Sequence, residues 1–300
     1  MEAEVALVTE GRYVADEAPA GDWYLENILA DDRLVIAALA RRGLSARRVD
    51  WAAPGVDWGA FRCAVLRTTW DYFDRFAEFS PWLARVAART RLCNELALVR
   101  WNIDKHYLRD LAAAGVPVVP TRFLERGATA SLAGLLEETG WEEAVLKPCV
   151  SGAARHTYRV DRAGAGALEG LLARLLADEA MMLQPFQRDV LVGGEVTVVA
   201  IDGRATHGVR KLARPGDFRV QDDFGGTVHA HAPRREEVAL AEAAMAACSA
   251  RPVYGRVDMV RGDDGRLLVM ELELVEPELW YRMHPPAAEA FAEALVRWLG

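Results

Sequence analysis

The feature that most constrains this chain is the stretch at residues 253–280, VYGRVDMVRGDDGRLLVMELELVEPELW. Two apolar runs flank a Gly/Asp cluster at 261–266, the signature of a β-hairpin. Along the second run, period-two alternation sends Leu268, Met270, Leu272 and Leu274 to one face and Val269, Glu271 and Glu273 to the other. The Leu/Met face is expected in the core. The opposite face then carries two carboxylates in register, and the tight turn brings Asp258 diagonally beside them. Three acids on one face repel one another unless a cation lies between them. Oxygen donors without histidine or thiolate partners suit Mg²⁺ or Mn²⁺, which also bridge to phosphates. The alternative is a solvated sheet face whose acids only aid solubility.

A chain of 300 residues with 52% hydrophobic content buries a sizeable core, in one large domain or in two to three small ones. A net charge of −8 without any Lys/Arg run argues against nucleic acid and against an anionic membrane surface. The N-terminus, MEAEVALVTE, places acids before a short apolar run and reads as a strand, not a signal peptide. No apolar run approaches the roughly 20 residues that span a bilayer. Cys63, Cys93, Cys149 and Cys248 are scattered, which fits reduced, mostly buried thiols in a cytoplasmic protein.

Taken in order, a strand at 5–9, a helix at 24–41 stopped by Gly43, strands at 47–51 and 64–66, and a helix at 76–88 describe an α/β unit. Its third strand runs into Arg67-Thr68-Thr69-Trp70-Asp71-Tyr72, and open parallel sheets bind ligands at the C-terminal ends of their strands. Arg67 could hold a carboxylate there and Trp70 could wall a pocket, unless the aromatics only pack. A helix at 103–114 carries Lys105 on its polar side. The strand at 144–147 ends in Lys147-Pro148 and enters the small-residue turn Ser151 to Arg155, the shape of a flap that lays backbone N–H groups on phosphates. Further strands follow at 181–183, 195–201 and 205–212, with helices at 235–250 and 286–299. His229 and His231 share one strand face without a third soft ligand and read as surface histidines. Cys149 lacks any His/Asp arrangement that would make it a nucleophile and reads as core.

The order of Lys105, Lys147-Pro148, the Ser/Gly turn, Gln184-Pro185-Phe186, Gly194-Glu195 and the late Asp258, Glu271 and Glu273 resembles the ATP-grasp superfamily over residues 95–300. The RTTWDY, KPxxSG, GDFRVQ and MELELVEP segments are similar to its glutathione-synthetase-like branch, and most to the cyclo-ligases of cycloserine biosynthesis, which close O-ureido-serine into a ring. The resemblance implies an α/β (α+β) ATP-grasp fold. An N-terminal open α/β domain at 1–94 would precede a central subdomain at 95–185 with the phosphate flap and a C-terminal subdomain at 186–300 with the metal site.

By the same resemblance, Lys105 and Lys147 hold ATP phosphates, Ser151 and Gly152 belong to the covering loop, and Gln184 to Phe186 form the hinge that reads adenine. Asp189 or Glu195 takes the ribose hydroxyls, and Asp258, Glu271 and Glu273 ligate magnesium, with manganese as a substitute. Lys211 and Arg219 are the cations for an acyl-phosphate and a substrate carboxylate, while Arg67, Thr68 and Trp70 lie on the substrate side. The implied activity is ATP-dependent C–N ligation through an acyl-phosphate on a small amino-acid-like substrate, including intramolecular ring closure. An intermolecular amino-acid or peptide ligase and a turnover-deficient nucleotide-binding module are the rivals. A homo-oligomer is compatible with the sequence. Glu273 stands where many amide ligases have Asn, and the flap continues from Gly152 as Ala153, Ala154 and Arg155, which weakens any transfer of substrate identity from glutathione synthetase or D-alanine–D-alanine ligase.

Overall fold

The computed structural model describes residues 3–300; Met1 and Glu2 lie outside the described residues. The chain builds three sheets in succession. In the first, β1 (Val5–Thr9), β2 (Ala46–Asp50), β3 (Cys63–Thr68) and β4 (Arg91–Cys93) are parallel in the order 2-1-3-4. The three-residue β4 was not expected from the sequence. Period-two alternation buries both faces. Val5, Leu7, Cys63 and Val65 face α1 (Trp23–Ala40), whereas Ala6, Val8, Ala64 and Leu66 face α2 (Phe76–Ala87).

The helix expected at 103–114 starts only at Tyr107, as α4 (Tyr107–Ala113), and a separate helix, α3 (Leu96–Ile103), precedes it. Between them the Lys105 amide donates to the Cys149 carbonyl at 2.9 Å, and Asp104 is extended. The break takes Lys105 off the polar side of a helix and buries it at 6% exposure. The second sheet, antiparallel in the order 5-8-6-7, holds β5 (Arg122–Leu124), β6 (Glu143–Pro148), β7 (Tyr158–Asp161) and β8 (Met181–Pro185). Helices α5 (Leu132–Thr139) and α6 (Ala165–Asp178) pack on it through Leu132, Leu136, Leu172 and Leu176.

The third sheet, antiparallel in the order 11-10-9-12-13, comprises β9 (Glu195–Ile201), β10 (Arg204–Leu212), β11 (Thr227–His231), β12 (Tyr254–Arg261) and β13 (Leu267–Glu273). Helix α7 (Arg235–Ala246) covers it through Leu240, Ala241 and Ala244. The last helix, α8 (Pro286–Leu299), returns to the first sheet, where Phe291 and Leu295 share a core with Val5, Leu7, Val35 and Leu39. Among the described residues, no helix is long and apolar enough to cross a membrane.

The acidic hairpin forms as expected, with a correction to its faces. Asp258 pairs with Glu271 and Met259 with Val269, so Met270 is an extra residue in β13. A bulge of this kind interrupts the alternation. Val269, Leu272 and Leu274 therefore share the core face, whereas Met270 joins Glu271 and Glu273 on the opposite one. Edge strand β13 has its backbone groups satisfied from outside the sheet. Asn102 Nδ2 donates to the Leu272 carbonyl at 2.8 Å, the Leu274 amide donates to Asn102 Oδ1 at 2.6 Å, and the Leu272 amide donates to Tyr107 Oη at 2.9 Å. Asn94 staples Tyr254 and Leu274 from the first sheet in the same way, at 2.9 and 2.8 Å. These bonds close the edge and fix the height of the acids.

Candidate active site

A cleft of about 500 Å³ opens between the second and third sheets and reaches the first. Its floor is the acidic face of β12 and β13 together with β9 and β10. Asp258, Glu271, Glu273 and Glu195 all line it, as do Lys105, Lys147, Lys211 and Arg256. The acids alternate with cations. Arg256 Nη2 lies 2.7 Å from Asp258 Oδ2 and also binds Glu273. Lys105 Nζ lies 2.8 Å from Glu271 Oε1 and donates to the Ser151 carbonyl at 2.6 Å. Lys147 Nζ is 3.9 Å from Glu271, and Lys211 bridges Glu195 and Asp258, the latter at 3.4 Å. Gly194, with φ of 71°, lets β9 begin with Glu195 opposite Lys211; a Cβ there would meet the Lys211 carbonyl at 2.4 Å.

These contacts set the charges. Burial alone would raise Asp258, but Arg256 and Lys211 outweigh it and hold the group at about 2. Glu271 is likewise lowered, because Lys105 and Lys147 overcome its burial. Glu273 is pushed up to about 7 by burial, with Asp258 and Glu271 adding to the rise against Arg256. Glu276 is pushed up to about 8, by burial first and Glu273 second. Burial lowers Lys147, whereas Glu271 raises Lys105 despite burial. Negative charge thus exceeds what the local cations neutralise.

At one end the cleft narrows to an apolar slot between Val119, Val145, Phe186, Val220, Val260 and Met270. Gln184, nearly buried, forms its back and donates from Nε2 to Thr121 Oγ1 at 3.0 Å. Over the basic floor lies the turn from Ser151 to Arg155, where Ala153, Ala154 and His156 all take positive φ. Non-glycine residues in that region are held there by surrounding structure. Arg155 supplies the hold, pairing with both oxygens of Glu179 at 2.9 Å and with Asp74 at 3.2 Å. Gly152 packs under Phe73, whose ring would meet a Cβ at 2.7 Å. A planar apolar group fits the slot, and a polyanion fits the lysines beneath the turn.

The other end is aromatic, walled by Tyr13, Tyr24 and Trp70 with Glu276 and Glu278. Trp70 is therefore on the cleft as expected. Arg67 and Thr68 are not: Arg67 is 3% exposed and binds Asp32 at 3.0 Å, while Thr68 Oγ1 contacts Thr9 Oγ1 at 2.5 Å. Asp189 is off the cleft too, in a short turn whose carbonyl accepts from Gly193, leaving Glu195 as the acid on the wall. Arg219 reaches the cleft, but its guanidinium is clamped by Asp217 at 3.0 and 2.7 Å. Cys149 is buried with its thiol pushed up to about 12 by burial, as a core residue should be. His229 is exposed, and His231 caps Glu237 at 2.7 Å. Sequence reasoning missed Arg256 and Glu276. Arg256 lies two residues before Asp258 on the same strand face, so period-two alternation marks it; Glu276 follows the strand, where no periodicity applies.

Comparison with known proteins places this geometry. The family model described as the N-terminal domain of D-cycloserine synthetase DcsG matches residues 5–94. The cycloserine biosynthesis protein DcsG of Streptomyces lavendulae is 37% identical over 271 residues, covering 84% of this chain and 88% of that protein. The crystal structure of D-cycloserine synthetase DcsG superposes with a TM-score of 0.86 at 34% identity, over 99% of each chain. The ATP-grasp ligase PsnB, solved with a phosphomimetic variant of its minimal precursor, Mg and ADP, shares the fold at a TM-score of 0.62 and 17% identity over 100% of both chains. The chain has the ATP-grasp fold and belongs to the family of the cycloserine biosynthesis protein DcsG, enzymes of the ATP-grasp type that form C–N bonds.

Proposed function

We propose that this enzyme uses Mg-ATP to activate the carboxylate of a small amino-acid-like substrate as an acyl-phosphate, and that the substrate's own nitrogen then closes a ring. The observation that carries this reading is the cleft floor, where four acids and four cations alternate between an apolar slot and an aromatic corner. Adenine lies in the slot against Phe186 and Met270, with Gln184 to Phe186 as the hinge. Glu195 takes the ribose. Lys105, Lys147 and the backbone of Ser151 and Gly152 hold the phosphates.

Asp258, Glu271 and Glu273 fit a divalent cation by their own chemistry. They are hard oxygen donors, and burial, with Asp258 and Glu271 beside it, pushes Glu273 up to about 7, a rise that a divalent cation would offset. When bound, Mg²⁺ (or Mn²⁺ by the same donor logic) neutralises charge developing on the transferred phosphoryl group. Arg256 and Lys211 keep the carboxylates ionised and aimed into the cleft. Lys211, with Arg219 once it leaves Asp217, faces the acyl-phosphate. The units at 1–94, 95–185 and 186–300 act as substrate wall, flap carrier and metal carrier. The reaction needs no protein nucleophile. The bond from the carboxyl carbon to its bridging oxygen breaks as nitrogen attacks, and phosphate leaves with that oxygen.

The route is tested with O-ureido-serine labelled with ¹⁸O in its carboxylate. Transfer of one label into inorganic phosphate is the expected result; unlabelled phosphate, or AMP with pyrophosphate, contradicts it. PsnB, solved in complex with a precursor peptide, motivates the rival intermolecular reading, and the small aromatic end of the cleft favours the single-molecule one.

A further inference from the structure

At the aromatic end of the cleft, Glu276 has no direct ion pair among the described residues, and the floor cations Lys105 and Arg256 act on it only at longer range. Neighbouring wall acids are paired: Glu195 with Lys211, Asp258 and Glu273 with Arg256, Glu271 with Lys105, and Glu278 with Arg282 at 2.7 Å. Glu276 forms no ion pair with any described residue, although it lines the cavity. Its backbone carbonyl accepts a 2.9 Å hydrogen bond from Trp70 Nε1, which fixes the indole beside it. Around that indole, Tyr13 and Tyr24 sit with centroids 5.6 and 6.2 Å away, and 6.2 Å from each other. Ring faces beside a bare carboxylate are what an organic ammonium seeks, through cation–π attraction and a charge-assisted hydrogen bond. Arg12, the guanidinium at this end, pairs with Glu10 at 2.6 Å, is largely in solvent and lies over the Tyr13 ring, 5.3 Å from its centroid.

We propose that Glu276, with Tyr13, Tyr24 and Trp70, forms the subsite that holds the free primary ammonium of the substrate. The inference rests on the ring-closing reading above. A molecule activated at its carboxylate and attacked by its own distal nitrogen leaves its α-amine unused, as a cation that the site has to accommodate close to the acyl-phosphate.

The experiment uses the full chain with Mg-ATP and two compounds, O-ureido-serine and its counterpart with hydrogen in place of the α-amine. Wild type should show a KM for the amino compound at least about tenfold lower, the scale of one charge-assisted contact. Glu276→Gln should raise that KM about 10- to 100-fold, change kcat less, and leave the efficiency for the des-amino compound where it was. Tyr24→Leu should act in the same direction more weakly. Equal efficiency of the two compounds in wild type overturns the subsite while leaving the ring-closing reading intact. An equal loss for both compounds in Glu276→Gln assigns the residue a structural role and also overturns it. If Glu276→Gln does not fold, the wild-type comparison decides alone. Absence of phosphate release from O-ureido-serine in wild type overturns the ring-closing reading, and the subsite falls with it.

Discussion

At the scale of single residues, the site is a set of buried charges that depend on one another, and removing one strands its partner. The two lysines illustrate the difference. Lys105 is bound to Glu271 and to the Ser151 carbonyl, whereas Lys147 has only Glu271 at 3.9 Å. Lys147→Met should weaken ATP binding by about 1–3 kcal/mol without lowering the melting temperature. Lys105→Met should lose affinity and also about 1–3 kcal/mol of stability through the groups it leaves unpaired. Calorimetric ATP titration and thermal melts separate the two; identical behaviour contradicts the assignment. Glu271→Ala follows the same logic. Three unaccompanied acids would gain stability from losing one, but Glu271 serves two buried lysines, so its removal should destabilise. Sequence alone supplied the acids and both lysines, because strand alternation and motif order are local. It could not supply the pairing of Arg67 with Asp32, 35 residues apart, which removes that arginine from the substrate wall.

At the scale of elements, β13 and the flap are positioned by side chains from outside their own sheets. Asn102 satisfies a carbonyl and an amide of β13. Asn102→Ala leaves both unpaired in the interior and should cost about 2–4 kcal/mol by denaturant melts, at about 1–2 kcal/mol per group. Unchanged stability would mean that the strand edge is held otherwise. The hairpin was legible in the Gly/Asp turn, but its faces were not, since a bulge adds a residue without a sequence mark and sends Met270 to the cleft. The break that buries Lys105 was equally hidden: residues 103–114 keep helical periodicity through it, and the backbone bond to Cys149 comes from tertiary structure. A further element, β10, contributes a pH response. His207, buried with Nε2 2.9 Å from the Leu279 carbonyl and stacked on His284, is pushed down to about 4, chiefly by burial. The native state binds the proton less readily than the unfolded chain, whose histidine titrates near 6.5. This contribution is complete above pH 6.5 and is lost as pH falls through that value toward 4, about 3 kcal/mol in all. His207→Gln should flatten that part of the stability–pH curve; an unaltered slope contradicts a neutral buried imidazole.

At the scale of the molecule, three sheets meet around one cleft, and the last helix returns to the first sheet to close the core. The succession of sheets could be read from the order of motifs along the chain. The return of α8 to α1 could not, because an amphipathic terminal helix carries no address for its partner. Charge completes the picture: Arg41 and Arg42 of the α1 end pair with Glu289 of α8, and Arg282 pairs with Asp31 of α1 at 3.0 Å. The apolar slot, the basic floor and the aromatic corner thus belong to one cavity that, on the proposed reading, a nucleotide and one small molecule fill together. The central claim is that a single compound supplies both the carboxylate and the attacking nitrogen. It is tested most directly by following phosphate release from Mg-ATP as O-ureido-serine alone is added. The account predicts saturable release with one ADP and one phosphate per ring closed, and no added amine. A strict requirement for a second, separate nitrogen compound would contradict it.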